Sequence, residues 1–244
     1  MQKGIAIMKH LLLGTGIFLA GLLAFAAGTA QAAADEPAPA FKPAAARYQE
    51  TRGDGDGHRH GSEWVFIRSG AQVELGRGGY VELWERDERG EISWQRVFHD
   101  ERKLITYTPG ELRTEHRAPS WEVLNSIIDE RLLGSLRTVG ATRYLGHAAT
   151  RYRGEVDGER IEVLWLDAER LPATVSRRDK THSYQLRLRE LHPAPAPGWP
   201  RADLARAADY EYIDGSDLGD REYEPFVRKV LAMDEAHGAG GHAH

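Results

Sequence analysis

The 244-residue sequence predicts a mainly β protein of the α+β class, an antiparallel sheet in two meanders with a helix lying on one face. Two runs of short period-two segments, 47–107 and 148–191, are each punctuated by Gly, Asp or Pro. Between them, 119–136 changes to three- and four-residue steps.

The first meander holds strands at 63–68, 80–86, 92–98 and 103–107. They are separated by Gly76-Arg77-Gly78-Gly79, by Arg86-Asp87-Glu88-Arg89-Gly90 and by Pro109-Gly110. Alternation puts Trp64 and Phe66 on one face with Arg68, and Ile92, Trp94 and Phe98 on one face with Arg96. That face is large and aromatic. In 119–136, Trp121, Leu124, Ile128, Leu132 and Leu136 form the stripe of one amphipathic helix, with Ser120 as N-cap and Glu122 in the first turn. Such a stripe needs a sheet to cover. The second meander has strands at 148–156, 160–166, 173–178 and 181–191, with Asp157-Gly158 as a hairpin turn.

The flanks read differently. Lys3 and Lys9, an apolar run from Leu11 to about Ala27 and the ending Ala30-Gln31-Ala32 have the order of a secretory signal, so 1–32 is expected to be removed. An uncleaved anchor is the rival; Gly14, Gly16, Gly21 and the A-x-A site favour cleavage. Removal leaves 212 residues with a net charge of −7, enough for one domain and without a footprint for nucleic acid or anionic lipid. Residues 33–46 read as an Ala/Pro linker, and 47–192 as the β domain. Residues 193–236 read as a Pro-rich turn and a helical, acidic extension, and 237–244 as a disordered His-rich tail.

The absence of cysteine excludes disulfides, thiol catalysis, C-x-x-C-H haem attachment and a lipidated N-terminal cysteine. The expectation is a monomer that diffuses freely in the periplasm or the medium, with at most transient membrane contact.

Within the second meander, Ile161-Glu162-Val163-Leu164-Trp165-Leu166-Asp167 followed by Leu171-Pro172-Ala173 resembles a strand-turn-strand of the lipoprotein-localisation-factor (LolA/LolB-like) superfamily. The same fold is seen in the sensor that restrains the envelope stress response. The upstream Gly146-His147-Ala148-Ala149-Thr150-Arg151-Tyr152 fits that pattern. The resemblance implies a strongly curved half-barrel closed by helices, with a hydrophobic concavity for a lipid, an acyl chain or a lipoprotein and no chemistry. The stretch 209–226, with Asp214, Asp217 and Asp220, departs from it.

Pocket candidates on this reading are Trp64, Phe66, Trp94, Phe98, Trp121, Leu124 and Ile128, with Trp84 and Trp165 as core. Arg68 and Arg96 belong either to exposed strand ends or to a rim that holds a ligand carboxylate or phosphate, with exposure the simpler reading. A different class of function uses Asp54, Asp56, His58 and His60, alternating in a glycine-rich loop, with the tail histidines His237, His242 and His244 as a weak divalent-metal site. A solvated hairpin loop accounts for the same residues. No cofactor is expected otherwise, and calcium at Asp214, Asp217 and Asp220 does not match the EF-hand spacing. No G-x-S-x-G, S-x-x-K or H-E-x-x-H is present, so the chain does not read as an enzyme. A third class is a sensor that meets an envelope protein through acidic 209–224.

Overall fold

The computed structural model describes residues 41–54, 58–115, 117 and 119–238. The export signal, most of the linker, Asp56, His242 and His244 lie outside them. Twelve strands form one unclosed, curved sheet: β1 Ala44–Gly53, β2 Arg59–Ser69, β3 Gln72–Arg77, β4 Tyr80–Arg86, β5 Ile92–Phe98, β6 Lys103–Tyr107, β7 Arg137–Tyr144, β8 His147–Val156, β9 Glu159–Leu166, β10 Leu171–Arg178, β11 Ser183–His192 and β12 Glu211–Asp214. Their order is β12-β6-β5-β4-β3-β2-β1-β11-β10-β9-β8-β7. Neighbours are antiparallel except β12 on β6, which is parallel. The first strand, β1, is the seam, pairing with β2 on one side and β11 on the other to join the two meanders.

Turn chemistry fixes the hairpins. Gly78 and Gly79 have φ of 41° and 97° and link β3 to β4, while Asp157 and Gly158, at 52° and 79°, link β8 to β9. Gly76 belongs to β3 rather than to the turn. A Cβ there would sit 2.7 Å from Val65 Cγ2, so only glycine lets the strand pack this closely.

Several sequence expectations are corrected. The linker ends before Ala44, because Ala44, Ala45 and Ala46 begin β1 and are buried: small side chains let the strand lie under the covering segments. Pro109-Gly110 opens a helix, α1 Pro109–Thr114, because Thr108 and Glu111 form a capping box with proline in the first turn. The helix expected over 119–136 is two, α2 Trp121–Ser126 and α3 Glu130–Ser135. Asp129 caps α3 by accepting from the Arg131 backbone N–H at 2.9 Å, and the Ser126 hydroxyl donates to the carbonyls of Glu122 and Ile128. These local bonds compete with a continuing helix, and Ile127 turns at φ 70°. Ser120 caps α2 as expected, and the Leu124 and Leu136 parts of the stripe still reach the core.

Residues beyond 192 belong to the fold. Trp199 and Ala196 cover Ala45, Val65 and Ile67 on the outer face, and Ala202 and Ala207 cover Val81, Leu83 and Val97. Buried Glu74 holds this wrap by accepting from the Arg201 side chain at 2.9 Å and the Ala202 backbone N–H at 2.8 Å. Three of the seven acids of the acidic stretch are paired: Asp209 with Arg102, Glu211 with Lys103 and Arg221, and Glu224 with Arg221. The last helix, α4 Pro225–Gly238, lies on the inner face. Among the described residues no helix is long and apolar enough to cross a membrane.

Candidate functional site

The inner face alternates as the sequence predicts. Trp64, Phe66 and Arg68 of β2 point inward, as do Trp94, Arg96 and Phe98 of β5. Ring stacks run along it: Trp84 on Trp94 at 4.8 Å, Trp94 on Tyr107 at 4.4 Å, Tyr48 on Trp64 at 5.0 Å and Tyr80 on Phe98 at 5.2 Å. Leu124 is buried against this face, and Trp121 and Ile128 are half-buried at its margin. The candidate pocket residues therefore lie together, but the helices fill the concavity. A recess of about 290 Å³ opens beside the β3–β4 turn between Trp64, Arg77, His99 and Pro200, away from α2 and α4.

The exposure expected for Arg68 and Arg96 is overturned, since they are 2% and 1% exposed. Each arginine marks a seam where a helix meets the sheet. Arg68 donates to the carbonyls of Asn125 at the end of α2 and Glu169 in the β9–β10 turn, and to Lys42 at 2.7 Å. Four-way solvation by carbonyls stands in for water, with Arg170 O at 3.5 Å as the fourth. Burial pulls the Arg68 guanidinium down to about 10, so it stays charged at neutral pH. Nearby, Arg170 donates to Glu130 at 2.7 Å and ties α3 to the same turn.

At the second seam Arg96 donates to Asp234 of α4 at 2.8 Å, and Arg117 lies 3.6 Å from the same carboxylate. Phe226 meets Phe98 edge-on at 5.0 Å, with Val227 and Val230 fully buried beside it. Burial works against the Arg96 charge, but Asp234 and the tyrosines outweigh it and the net direction is up. Trp94 Nε1, Arg96 Nε and the Tyr107 hydroxyl are buried without a well-formed hydrogen bond, although Arg96 is close enough to Tyr107 to oppose its burial-driven rise. A third cluster, at the mouth, places Arg77 over Trp64 at 4.4 Å and 3.6 Å from buried Glu50, which also accepts from Arg52 at 2.6 Å.

The metal candidates come together only in part. His58 Nδ1 is 3.3 Å from Asp54 Oδ2, and His60 lies opposite Arg52 in the β1–β2 ladder. Among the described residues no group of three or more His, Asp or Glu side chains could hold an ion. Sequence reasoning missed Tyr48, Tyr107, Arg117 and Asp234. The first two carry the same period-two signal as their strands, whereas nothing local marks Arg117 or Asp234.

No family model matches the chain, and no curated protein matches it. Among solved structures it is similar to PNGF-II, at 12% identity and a TM-score of 0.40 over 75% of this chain, and the chain spans about a third (33%) of that structure's length. It is similar to a domain described as an outer membrane lipoprotein-sorting protein domain from Vibrio parahaemolyticus, at 9% identity and a TM-score of 0.31 over 69% of this chain and 92% of that one. A LolA superfamily protein from Nitrosomonas europaea is similar at 8% identity and a TM-score of 0.24, over 64% and 88% of the two chains. Every TM-score is below 0.5, so the likeness brings no function with it. The chain bears a weak structural resemblance to these two structures of the LolA superfamily.

Proposed function

We propose that this chain is an exported, non-catalytic binding protein that takes a lipid, an acyl chain or a lipoprotein tail against the inner face of its half-barrel. On this reading α2 with α3 moves to admit the ligand. The observation that carries this reading is Arg68, a buried cation that fastens α2 and the β9–β10 turn to the sheet through main-chain carbonyls. A seam held by packing alone would need no cation here, whereas this one meets main-chain carbonyls that an apolar side chain would leave unpaired. A polar seam separates more readily than a fused apolar one, since water can replace each carbonyl contact as the helix leaves. Phe66 of β2 and Leu124 of α2 belong to one buried apolar cluster, a surface suited to an acyl chain at about 25 cal/mol per Å² removed from water.

Titration with a fluorescent fatty acid tests this reading. Saturable binding at one site is expected, weakened more than tenfold by Trp94→Ala or Phe66→Ala at a temperature where both variants remain folded. Saturable binding untouched by either substitution would place the ligand elsewhere and sink the inner-face assignment.

A further inference from the structure

The outer face of the second meander carries a charge pattern that the net charge of −5 conceals. The strand registers put Arg137 opposite Arg153 and Arg153 opposite Glu162. They set Glu155 opposite Arg160, Arg160 opposite Arg178, and Arg187 opposite Thr174. Arg151 lies two residues before Arg153, and Arg189 two residues after Arg187, where it donates to Gln49. All of them are on the side of the sheet away from Ile161, Val163, Val175 and Leu186, which face the core. Seven arginines therefore share this face with three glutamates, Glu155, Glu162 and Glu190, the last paired with Arg47 of β1 at 2.9 Å, and six of the seven arginines are exposed. One pair, Arg153 with Glu162 at 3.0 Å, cancels. The segment after 192 covers apolar residues on the outer face of β1, β2, β4 and β5 and buried Glu74 of β3.

A second observation says what meets this face. Val139 and Leu145, at 45% and 53% exposed, both lie on the β7–β8 hairpin that borders it. Val139 is bulged out of the ladder between Thr138 and Gly140. Leu145 sits in the turn at φ 47°, a left-handed conformation that asparagine or glycine would adopt at lower cost. An apolar side chain held in strain at an exposed turn does nothing for folding. Beside a broad arginine face it is suited to dip below lipid headgroups.

We infer that the outer face of β7–β11 docks on an anionic bilayer surface, the arginines meeting lipid phosphates and Leu145 with Val139 entering the headgroup layer. Five strands at about 4.8 Å spacing make a face roughly 20 Å wide, broader than the screening length of about 8 Å at physiological salt, so several headgroups are engaged at once. A soluble polyanion would meet the arginines equally well and has no use for the apolar turn. This corrects the sequence-level expectation of no anionic-lipid footprint, which averaged charges that the fold segregates. It is independent of the acyl-carrier reading.

Flotation of the full chain with phosphatidylcholine vesicles, with and without about 30% phosphatidylglycerol, tests the proposal. Binding to the anionic vesicles is expected to be at least about tenfold tighter and to be lost near 0.5 M salt. The triple variant Arg151→Glu, Arg160→Glu, Arg187→Glu is expected to abolish it. Leu145→Asn relieves the turn, so it is expected to weaken vesicle binding several-fold while the thermal midpoint holds or rises. Equal binding to both vesicle types, indifference to the triple variant, no vesicle binding, or retention on heparin without vesicle binding would each overturn it. A chain that floats with anionic vesicles yet takes up no fluorescent fatty acid would sink the carrier reading and leave this one standing.

Discussion

Asp234 accepts a hydrogen bond from Arg96 at 2.8 Å, joining residues 138 positions apart and pinning the C-terminal helix to the centre of β5. The arginine is 1% exposed, and the carboxylate side chain is 29% exposed at the helix margin. The pair therefore resembles a plug with one wet side.

Removing the carboxylate leaves Arg96 buried among the rings of Tyr80, Trp94 and Phe98 without an anionic partner from α4. Asp234→Ala is expected to lower stability by about 2–3 kcal/mol, somewhat below the loss from a fully buried pair because Asp234 keeps solvent contact. Urea unfolding at pH 7 measures it. The double variant Arg96→Met, Asp234→Leu removes both charges and is expected to recover most of that loss.

Arg68→Leu removes the donor shared by the carbonyls of Asn125, Glu169 and Lys42. Relief of a desolvated charge offsets part of the cost, and a net loss of about 1–3 kcal/mol is expected. The distinguishing readout is local. Amide exchange of α2 is expected to rise well above that of β4 and β5, and uptake of a fluorescent fatty acid to become faster. Uniform loss of protection across the sheet would show Arg68 to be an ordinary core support.

Alkaline pH is a third probe. Burial, as the largest cause, raises Tyr80 and Tyr184 to about 12, and it raises Tyr48 and Tyr107 as well. A folded pKa above the unfolded value near 10 means that the stabilisation is intact below pH 10 and is lost as pH rises through about 12. Arg68, lowered by burial to about 10, acts in the opposite sense, since the folded state favours its neutral form, but one such group faces four tyrosines. The phenolate absorbance of these four buried tyrosines is expected to appear late and together with unfolding, between pH 10 and 12. Normal titration of all nine tyrosines near pH 10 in a folded protein would contradict this burial.

Gly215→Ala probes the fit of the segment after β12. A Cβ there would collide with Tyr107 Cδ1, in a ring that is itself stacked on Trp94. Displacing that ring is expected to cost about 1–3 kcal/mol and to change the tryptophan fluorescence.

Much of the sheet was legible because its strands alternate cleanly between turns. The limits of β4, β5 and β6 fall where the period-two runs end, and the shared face of Trp94, Arg96 and Phe98 follows from the same period. Other strands were hidden for physical reasons. The first strand, β1, opens on three alanines inside an Ala/Pro-rich context. In β7, an edge strand exposed along almost its whole length, no apolar alternation exists to be read. The short parallel β12 owes its place to partners on β6 rather than to its own pattern. The break at Ile127 was missed because the apolar stripe survives it, while Asp129 supplies a new cap. Of the site, the aromatic wall was readable and its seams were not. Asp234 reaches Arg96 only through the path of the chain, which no local spacing encodes.

Whether the inner face accepts an acyl chain is decided by native mass spectrometry of the chain, purified gently from a periplasmic extract and then unfolded in the gas phase. A bound species is expected that is released on unfolding with the mass of a lipid or fatty acid, and that is missing from the Trp94→Ala and Phe66→Ala variants. A bare protein mass that stays bare after incubation with lipid vesicles would contradict it and leave the helices as permanent core.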